Sequence, residues 1–477
     1  VRNLLLASLL PLCLLGQAPY DLVIRNARVV DPESGLDAIR QVAVTNGKIA
    51  AISEQSLNGL AQIDAQGLVL APGFIDLHWH GTNPASGRYE LMDGVTTTLE
   101  LEIGVADLPK YYADRTNKSY VNFGASIGHP PVRMAVLGDE GEFLPSGPGG
   151  YQRATPAEIE AMKERIEVGL RQGAPAVGFG IAYTHGASYG EIIDMFRLAA
   201  KYNATCHVHM RGTSSAAGAQ ADRELGLSEV IAAATIAGAK LHIVHINSSG
   251  QEATGRLLEL IADARAHGVD VTTEAYPYTA GATRIESALF DSWMDKLPAD
   301  YQRLQWSSTG ERLTRETFLK YRKQGGLVII HANTEERVRT AILSPLTMIA
   351  SDGFDVSEGQ GHPRSAATFS RVLAKYVREE KSLSLMDAIR KMTLMPAQRL
   401  EGRVPAMRNK GRIKVGADAD LTIFDPAQIK DQATYEKPAQ FSTGVRYVLL
   451  NGQFAVKDGM LQETVHAGQP IRAPLAR

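Results

Sequence analysis

Residues 71–81 read APGFIDLHWHG. A short apolar run ends in two histidines with one tryptophan between them. Side chains alternate along a strand, so His78 and His80 point to the same face. Imidazole is costly to bury without a partner. Two on one face at a strand end therefore imply a shared partner, and a metal ion can take both. The rest of the chain tests whether further ligands arrive at the same place.

Downstream of this stretch, strand, loop and helix alternate. Candidate strand ends are FIDLHWH (74–80), GVTTTLELEIG (94–104), YVNFGASIGH (120–129), PAVGFGIAY (175–183), ATCHVHMRG (204–212), AKLHIVHINS (239–248), VDVTTEAYPYT (269–279), GLVIIHANT (326–334) and LTMIASDG (346–353). Amphipathic helical stretches such as TPAEIEAMKERIEVGLRQG and YGEIIDMFRLAAKYN separate several of them. Strands alternating with helices imply parallel βαβ units. Such a series over this length predicts an α/β fold, a (β/α)8 TIM-type barrel, with at least one of the nine candidates outside it. The stretch 280–325 breaks the rhythm and reads as an insertion. On both flanks the pattern becomes short alternating strands with Gly/Asn turns, as in YDLVIRNARVVDPESG and VRYVLLNGQFAVKDGML. The chain thus divides into 19–72, 73–402 and 403–477, the first and last forming one small β-sandwich around a barrel.

The chain has 477 residues, a formal net charge of -2 and 44% hydrophobic residues, enough for a large core. With no basic run it carries no electrostatic footprint for nucleic acid. Residues 1–18 contain Arg2 and then the apolar run Leu4–Leu15. That run is shorter than the roughly 20 residues a bilayer requires, so it reads as a secretory signal peptide and not a transmembrane segment. Cys13 lies within it, leaving Cys206 with no partner for an intrachain disulfide. An exported, periplasmic protein is the expectation. Its oligomeric state is not legible.

In a barrel of this type the C-terminal strand ends share one mouth. This chain places there His78 and His80, Glu100 and Glu102, His207 and His209, His242 and His245, and Asp352. Imidazole and carboxylate suit zinc and similar divalent metals. His209 and His245 stand nearest their strand ends and are the expected ligands beside His78 and His80. His207 and His242 lie deeper and read as packing or orienting groups. Two ions side by side need a bridging anion. PAVGFGIAY has no lysine to carbamylate, and Cys206 sits beside His207 and not at the mouth. That leaves a carboxylate, with Glu102 nearer the strand end than Glu100. Asp352 can take a proton from a water at the metal and pass it to a leaving group. The implied reaction is hydrolysis of an amide or related C–N bond.

PGFIDLHWHG and GRIKVGADADLTIFDP together resemble the amidohydrolase superfamily over nearly all of the mature chain. Within it, GFGIAYTHGAS, CHVHMRG, IVHINSSG, EAYPYTAGAT and SDG followed by GHPRSAATFSRVLAKYV resemble the N-acyl-D-amino-acid deacylases, or D-aminoacylases. The resemblance implies one or two zinc ions on His78, His80, His209 and His245, with Asp352 as catalytic acid/base. It places Tyr278 near the substrate carbonyl and Arg364 on the substrate carboxylate, where a guanidinium can make two parallel hydrogen bonds. Tyr183 would line the same pocket. The chain departs from the family twice. Ile103 stands where a cysteine ligand aligns, so Glu102 substitutes or the site holds metal differently. Asn247 stands where a substrate-binding lysine is often found, and an amide cannot supply the charge. His331 at the end of LVIIH is additional. The substrate class is a small molecule bearing a carboxylate, an N-acyl-D-amino acid. The competing readings are a cyclic amide of dihydroorotase or hydantoinase type, a dipeptide, and a ligand-binding barrel without turnover.

Overall fold

The computed structural model describes residues 19–212, 219–294, 296–357 and 360–475, so the signal reading of 1–18 concerns residues outside it. Five strands open the described chain: β1 (Tyr20–Asp31), β2 (Leu36–Thr45), β3 (Lys48–Ser53), β4 (Gly59–Asp64) and β5 (Val69–Pro72). The barrel begins with β6 (Phe74–Asp76), β7 (Val95–Val105), β8 (Asn122–Gly128), β9 (Ala176–Gly180), β10 (Thr205–His209), β11 (Lys240–Ile243) and β12 (Val271–Ala275). An insert comes next, β13 (Ala280–Arg284), β14 (Leu304–Trp306) and β15 (Leu327–His331), before β16 (Thr347–Ile349) completes the barrel. The chain ends with β17 (Leu421–Phe424), β18 (Val445–Leu450), β19 (Gln453–Lys457) and β20 (Met460–Leu461).

The barrel strands pair in parallel in the order β16-β12-β11-β10-β9-β8-β7-β6. The ring closes through a parallel bridge between Trp79 and Gly353, where the His80 N–H donates to the Gly353 carbonyl at 2.7 Å. Strands β8, β9 and β10 are buried at every residue, as expected where helices cover the outer face. The helix Pro156–Arg171 starts where sequence says it should. Thr155 accepts from the Glu158 N–H while the Glu158 carboxylate accepts from the Thr155 N–H, a reciprocal cap. It buries Met162, Ile166 and Leu170, spaced at i, i+4 and i+8. Each such side chain contributes about 1.5–3 kcal/mol.

Ile75, Leu77, Leu99, Leu101 and Met348 pack with Leu400, Val404 and Met407 and with Ile471 and Ala473 of the C-terminal tail. This apolar cluster plugs the end of the barrel away from the histidines, so polar chemistry is confined to the other mouth. The second sheet joins both chain ends in the order β20-β19-β18-β17-β5-β1-β2-β3, with β4 also on β1. It closes over its own core of Leu22, Ile24, Val29, Val42, Leu70, Leu421, Ile423 and Leu449. The insert is a three-stranded antiparallel sheet ordered β13-β15-β14, so GLVIIH pairs there and is the candidate strand left out of the barrel. It has a small core of Phe290, Tyr301, Trp306, Phe318 and Val328. Among the described residues no helix is long and apolar enough to cross a membrane.

Candidate metal centre and its cavity

Three backbone irregularities build the mouth. Pairing of β7 with β8 jumps from Glu100–Ala125 to Val105–Ile127, a bulge that lets extra residues swing inward at the strand end. His245 (φ 32°) and Asp352 (φ 53°) both adopt left-handed backbone. That conformation is unfavourable for residues other than glycine, and here it turns two side chains inward. Within the bulge Glu100 and Glu102 take different jobs. Glu102 points between the histidines. Glu100 accepts from His80 Nδ1 at 2.5 Å and from the Ile103 and Gly104 N–H groups at 3.2 and 3.1 Å.

The Glu102 carboxylate divides four imidazoles into two pairs. Its Oε2 lies 3.1 Å from both His78 Nε2 and His80 Nε2. Its Oε1 lies 2.7 Å from His209 Nδ1 and 3.4 Å from His245 Nε2. Asp352 Oδ1 completes the first pair, 3.5 Å from His78 Nε2 and 3.4 Å from His80 Nε2. The ligand atoms of His78, Glu102 and His245 lie within 4.8 Å of one another, as do those of His78, His80 and Asp352. A side chain such as a carbamylated lysine has no room at Gly178. A Cβ at Gly178 on β9 would stand 2.4 Å from the Glu102 carbonyl.

The donor set suits a divalent cation. The Nδ1 of His78 and of His80 each meet a carboxylate, which assigns the proton there and leaves both Nε2 lone pairs facing the cavity. These lone pairs lie 3.0 Å apart with a carboxylate oxygen beside them. A cluster of acceptors at that spacing is repulsive until a positive charge sits among them. The acid–base properties agree. Burial opposes charge on His78, but Asp352, Glu274 and Glu102 outweigh it and hold the imidazole well above its ordinary range. Burial likewise opposes ionisation of Glu102, yet His78, His209 and His245 hold it well below the usual carboxylate range. His78, His80, Glu102, Asp352, His209 and His245 could together hold one or two ions.

Beneath the mouth lies a polar chain. Glu274 Oε1 meets His78 Nδ1 at 2.5 Å, Glu274 Oε2 meets His242 Nε2 at 3.0 Å, and His242 Nδ1 meets the Thr272 hydroxyl at 2.8 Å. His242 is thus an orienting group at one remove. His207 stacks 4.6 Å from His242 with no hydrogen bond to either ring nitrogen, and burial pushes its pKa well down. It is a neutral packing residue. His245 Nδ1 meets only the Ser249 hydroxyl, at 3.0 Å.

A cavity of about 320 Å³ opens beside the histidines. Phe143 and Leu144 line one side, and Leu289, Phe290 and Trp293 of the insert line another. Tyr183 is on the wall, its hydroxyl 3.2 Å from Thr283 Oγ1. Arg364 is buried just behind the wall, with Nη1 2.9 Å from Asp352 Oδ2 and Nη2 donating to the Ala282 carbonyl at 3.2 Å. Its guanidinium stacks 4.7 Å from the Tyr276 ring. Nη1 and Nε make no aligned hydrogen bond, so buried donors remain to be satisfied. Gly281 supplies the opening. The space a Cβ would fill there is 3.1 Å from the Tyr276 hydroxyl, 3.4 Å from Ser248 Oγ and 3.9 Å from Arg364 Nη1. Tyr276, Ser248 and Arg364 thus lie close around Gly281, where any side chain would crowd against them.

Two expected pocket residues are placed elsewhere. Tyr278 donates to the Ala367 carbonyl at 3.0 Å and lies under Arg371, away from the cavity. Tyr276 takes the wall position, because β12 ends at Ala275 and strand alternation has no hold on the residues beyond it. Asn247 is fully buried and spans the Tyr276 backbone, donating to its carbonyl at 3.0 Å and accepting from its N–H at 3.4 Å, so it fixes that tyrosine and does not face the cavity. His331 belongs to the insert sheet, 2.8 Å from Gln305. Sequence reasoning also passed over Glu274 and Ser248. An acid at the end of the apolar strand VTTEA was the signal for Glu274. Nothing local marks Ser248.

Comparisons with known proteins agree with this geometry. A family model described as the amidohydrolase family matches residues 130–456. An N-acyl-D-glutamate deacylase of Alcaligenes xylosoxydans xylosoxydans is 28% identical over 91% of this chain and 93% of its own. A D-aminoacylase of the same organism is 28% identical over 96% of this chain and 98% of its own. The solved N-acyl-D-glutamate deacylase of Bordetella bronchiseptica, in complex with zinc and a phosphonate that mimics the tetrahedral intermediate, superposes with a TM-score of 0.80 at 26% identity, over 95% of this chain and 100% of that one.

Proposed function

The chain belongs to the amidohydrolase family, and on that premise we propose that it hydrolyses the linear amide of N-acyl-D-amino acids with the help of divalent metal, zinc in the first instance. The observation that carries this reading is the division of four imidazoles by the two oxygens of Glu102 at the edge of a cavity. Relatives that align from end to end are deacylases of this substrate class, which supports a linear amide over a cyclic one.

The roles follow from position. His78, His80, Glu102, His209 and His245 would hold the metal, which supplies Lewis acidity: it acidifies water and polarises a carbonyl. Asp352 faces the same point and serves as general base and then general acid. It accepts a proton from the attacking water and returns it to the amide nitrogen as the C–N bond breaks, so that a carboxylate and an amine leave. Arg364, Tyr276 and Ser248 bind the substrate carboxylate at the Gly281 opening. Arg364 Nη1 is the guanidinium nitrogen nearest Gly281 and also pairs with Asp352, so a substrate carboxylate held there would bring the scissile amide next to its proton carrier. The apolar wall of Phe143, Leu144, Leu289 and Trp293 accepts the uncharged remainder of the substrate.

A panel of N-acetyl-D-amino acids, their L-enantiomers, hydantoins and dipeptides tests the proposal with zinc-loaded protein. Turnover confined to the D-series supports it. Turnover of cyclic amides alone rejects it.

A further inference from the structure

We infer that Asp93, a buried acid between the helix Gly87–Met92 and β7, is a positioning residue that aims Arg364 at the substrate carboxylate. This rests on the reading of Arg364 given above and adds what holds it. Arg364 opens the helix Arg364–Arg371, and that helix is broken at Ala367, whose backbone (φ -155°, ψ 37°) is not helical. The break separates two parts with different duties. Ahead of it, Arg364 pairs with Asp352 at 2.9 Å and Ser365 Oγ accepts from the Phe354 N–H at 2.8 Å, so this turn is tied to the loop that carries the general base. Beyond it, Phe369, Val372, Leu373 and Tyr376 are buried in the main apolar core. The core fixes the second part, and the angle at Ala367 decides where the first part points.

Asp93 sets that angle. In an unbroken helix the N–H groups of Phe369 and Ser370 would point at the Ser365 and Ala366 carbonyls across the break. Here they reach Asp93, Phe369 N to Oδ2 at 2.6 Å and Ser370 N to Oδ1 at 3.1 Å. Ser442, from the C-terminal segment, donates to Asp93 Oδ1 at 2.7 Å, and with its proton so used it accepts from the Ser370 hydroxyl at 2.6 Å. The second part of the helix thus starts on a carboxylate 276 residues away in sequence, which does the work of an N-cap. Asp93 is 1% exposed and has no ion-pair partner among the described residues. A buried carboxylate without a cation is costly, and three donors on its two oxygens offset that cost. An asparagine would keep the shape but turn one acceptor into a donor facing another donor.

The test is steady-state kinetics of zinc-loaded protein on the N-acetyl-D-amino acid it turns over best, for Asp93→Asn, Arg364→Met and the double variant. Asp93→Asn should raise KM by about 10-fold, inside the roughly 100-fold that a small misplacement of a substrate clamp can cost. Its kcat should stay within about 3-fold, the pattern of a lost binding contact. In the Arg364→Met background the same substitution should change KM by less than about 2-fold, because nothing is left to aim. An effect of equal size in both backgrounds, as a purely structural role predicts, overturns the inference. Ser442→Ala removes only one of the three donors and should show the same coupling at about 3-fold, which keeps the cycle readable if Asp93→Asn does not fold. Crystal structures of Asp93→Asn and Ser442→Ala give a readout apart from turnover. Arg364 should shift by more than about 0.5 Å, the tolerance of a preorganised site, while His78, His80 and His245 stay in place. An unmoved Arg364 refutes the inference. An unchanged KM in Arg364→Met would instead sink the carboxylate reading, and the crystal structures would still decide whether Asp93 aims that side chain.

Discussion

Asp352→Asn separates two things the structure ties together, proton transfer and charge balance. The side chains are nearly isosteric, so Oδ1 can still face His78 and His80. What is lost is the carboxylate that takes a proton. General acid–base catalysis contributes about 10²–10⁴-fold, or about 2.7–5.4 kcal/mol of barrier at about 1.36 kcal/mol per decade. The variant should keep its zinc through His78, His80, Glu102, His209 and His245, and kcat should fall by that factor. The second consequence concerns Arg364, whose side chain is fully buried and whose charge is balanced by Asp352 Oδ2 at 2.9 Å. Breaking one partner of a buried ion pair costs about 3–5 kcal/mol, because the other charge is left in a poor solvent. Urea unfolding of the zinc-loaded protein should show this loss for Asp352→Asn. In Asp352→Asn/Arg364→Met it should shrink by at least about 2 kcal/mol, since neither charge remains, whereas the fall in kcat should persist. A kcat within about 10-fold of wild type would remove Asp352 from the mechanism. Strictly additive stability losses would show that the pair is not coupled, and the reasoning from distance and burial would fail.

Three further outcomes are expected. Tyr276→Phe should raise KM for an N-acetyl-D-amino acid by about 10–100-fold, one hydrogen bond to a charged group being worth about 1.5–3 kcal/mol, while Tyr278→Phe should leave KM within about 2-fold, as measured by initial rates. Chelation should abolish activity reversibly, and restoring zinc to about 1,000 times its Kd should return about 4 kcal/mol of stability in thermal unfolding. Burial, reinforced by Arg312, pushes His331 down to about 4 from its ordinary 6.5. The folded state therefore keeps it neutral where the unfolded chain would protonate it. Its contribution to stability is whole above about pH 6.5 and is lost as pH falls toward 4, so His331→Gln should flatten the decline in thermal midpoint over that interval.

Much of this molecule can be read without coordinates. The alternation of apolar strands with amphipathic helices specifies the barrel, because burial of a parallel sheet demands apolar strands and covering helices. Thr155 with Glu158 and Ser188 with Glu191 mark helix starts through local capping chemistry that sequence displays directly. His78 and His80 declare a shared face by their spacing, and the polar residues at the ends of β10 and β11 stand out against their apolar surroundings. Tertiary structure was needed wherever the backbone left its regular period. Glu100 and Glu102 are equivalent by alternation and part company only in the β7 bulge. Tyr276 and Tyr278 are likewise equivalent until β12 stops at Ala275. Glu274 gains its role only because ring closure brings β12 to within one strand, β16, of the end of β6, 196 residues away in sequence. Side-chain direction follows a local rule while hydrogen bonding keeps a strand regular, and sequence carries that rule. Where the strand ends, long-range contacts aim the side chain, and those exist only once the barrel has closed.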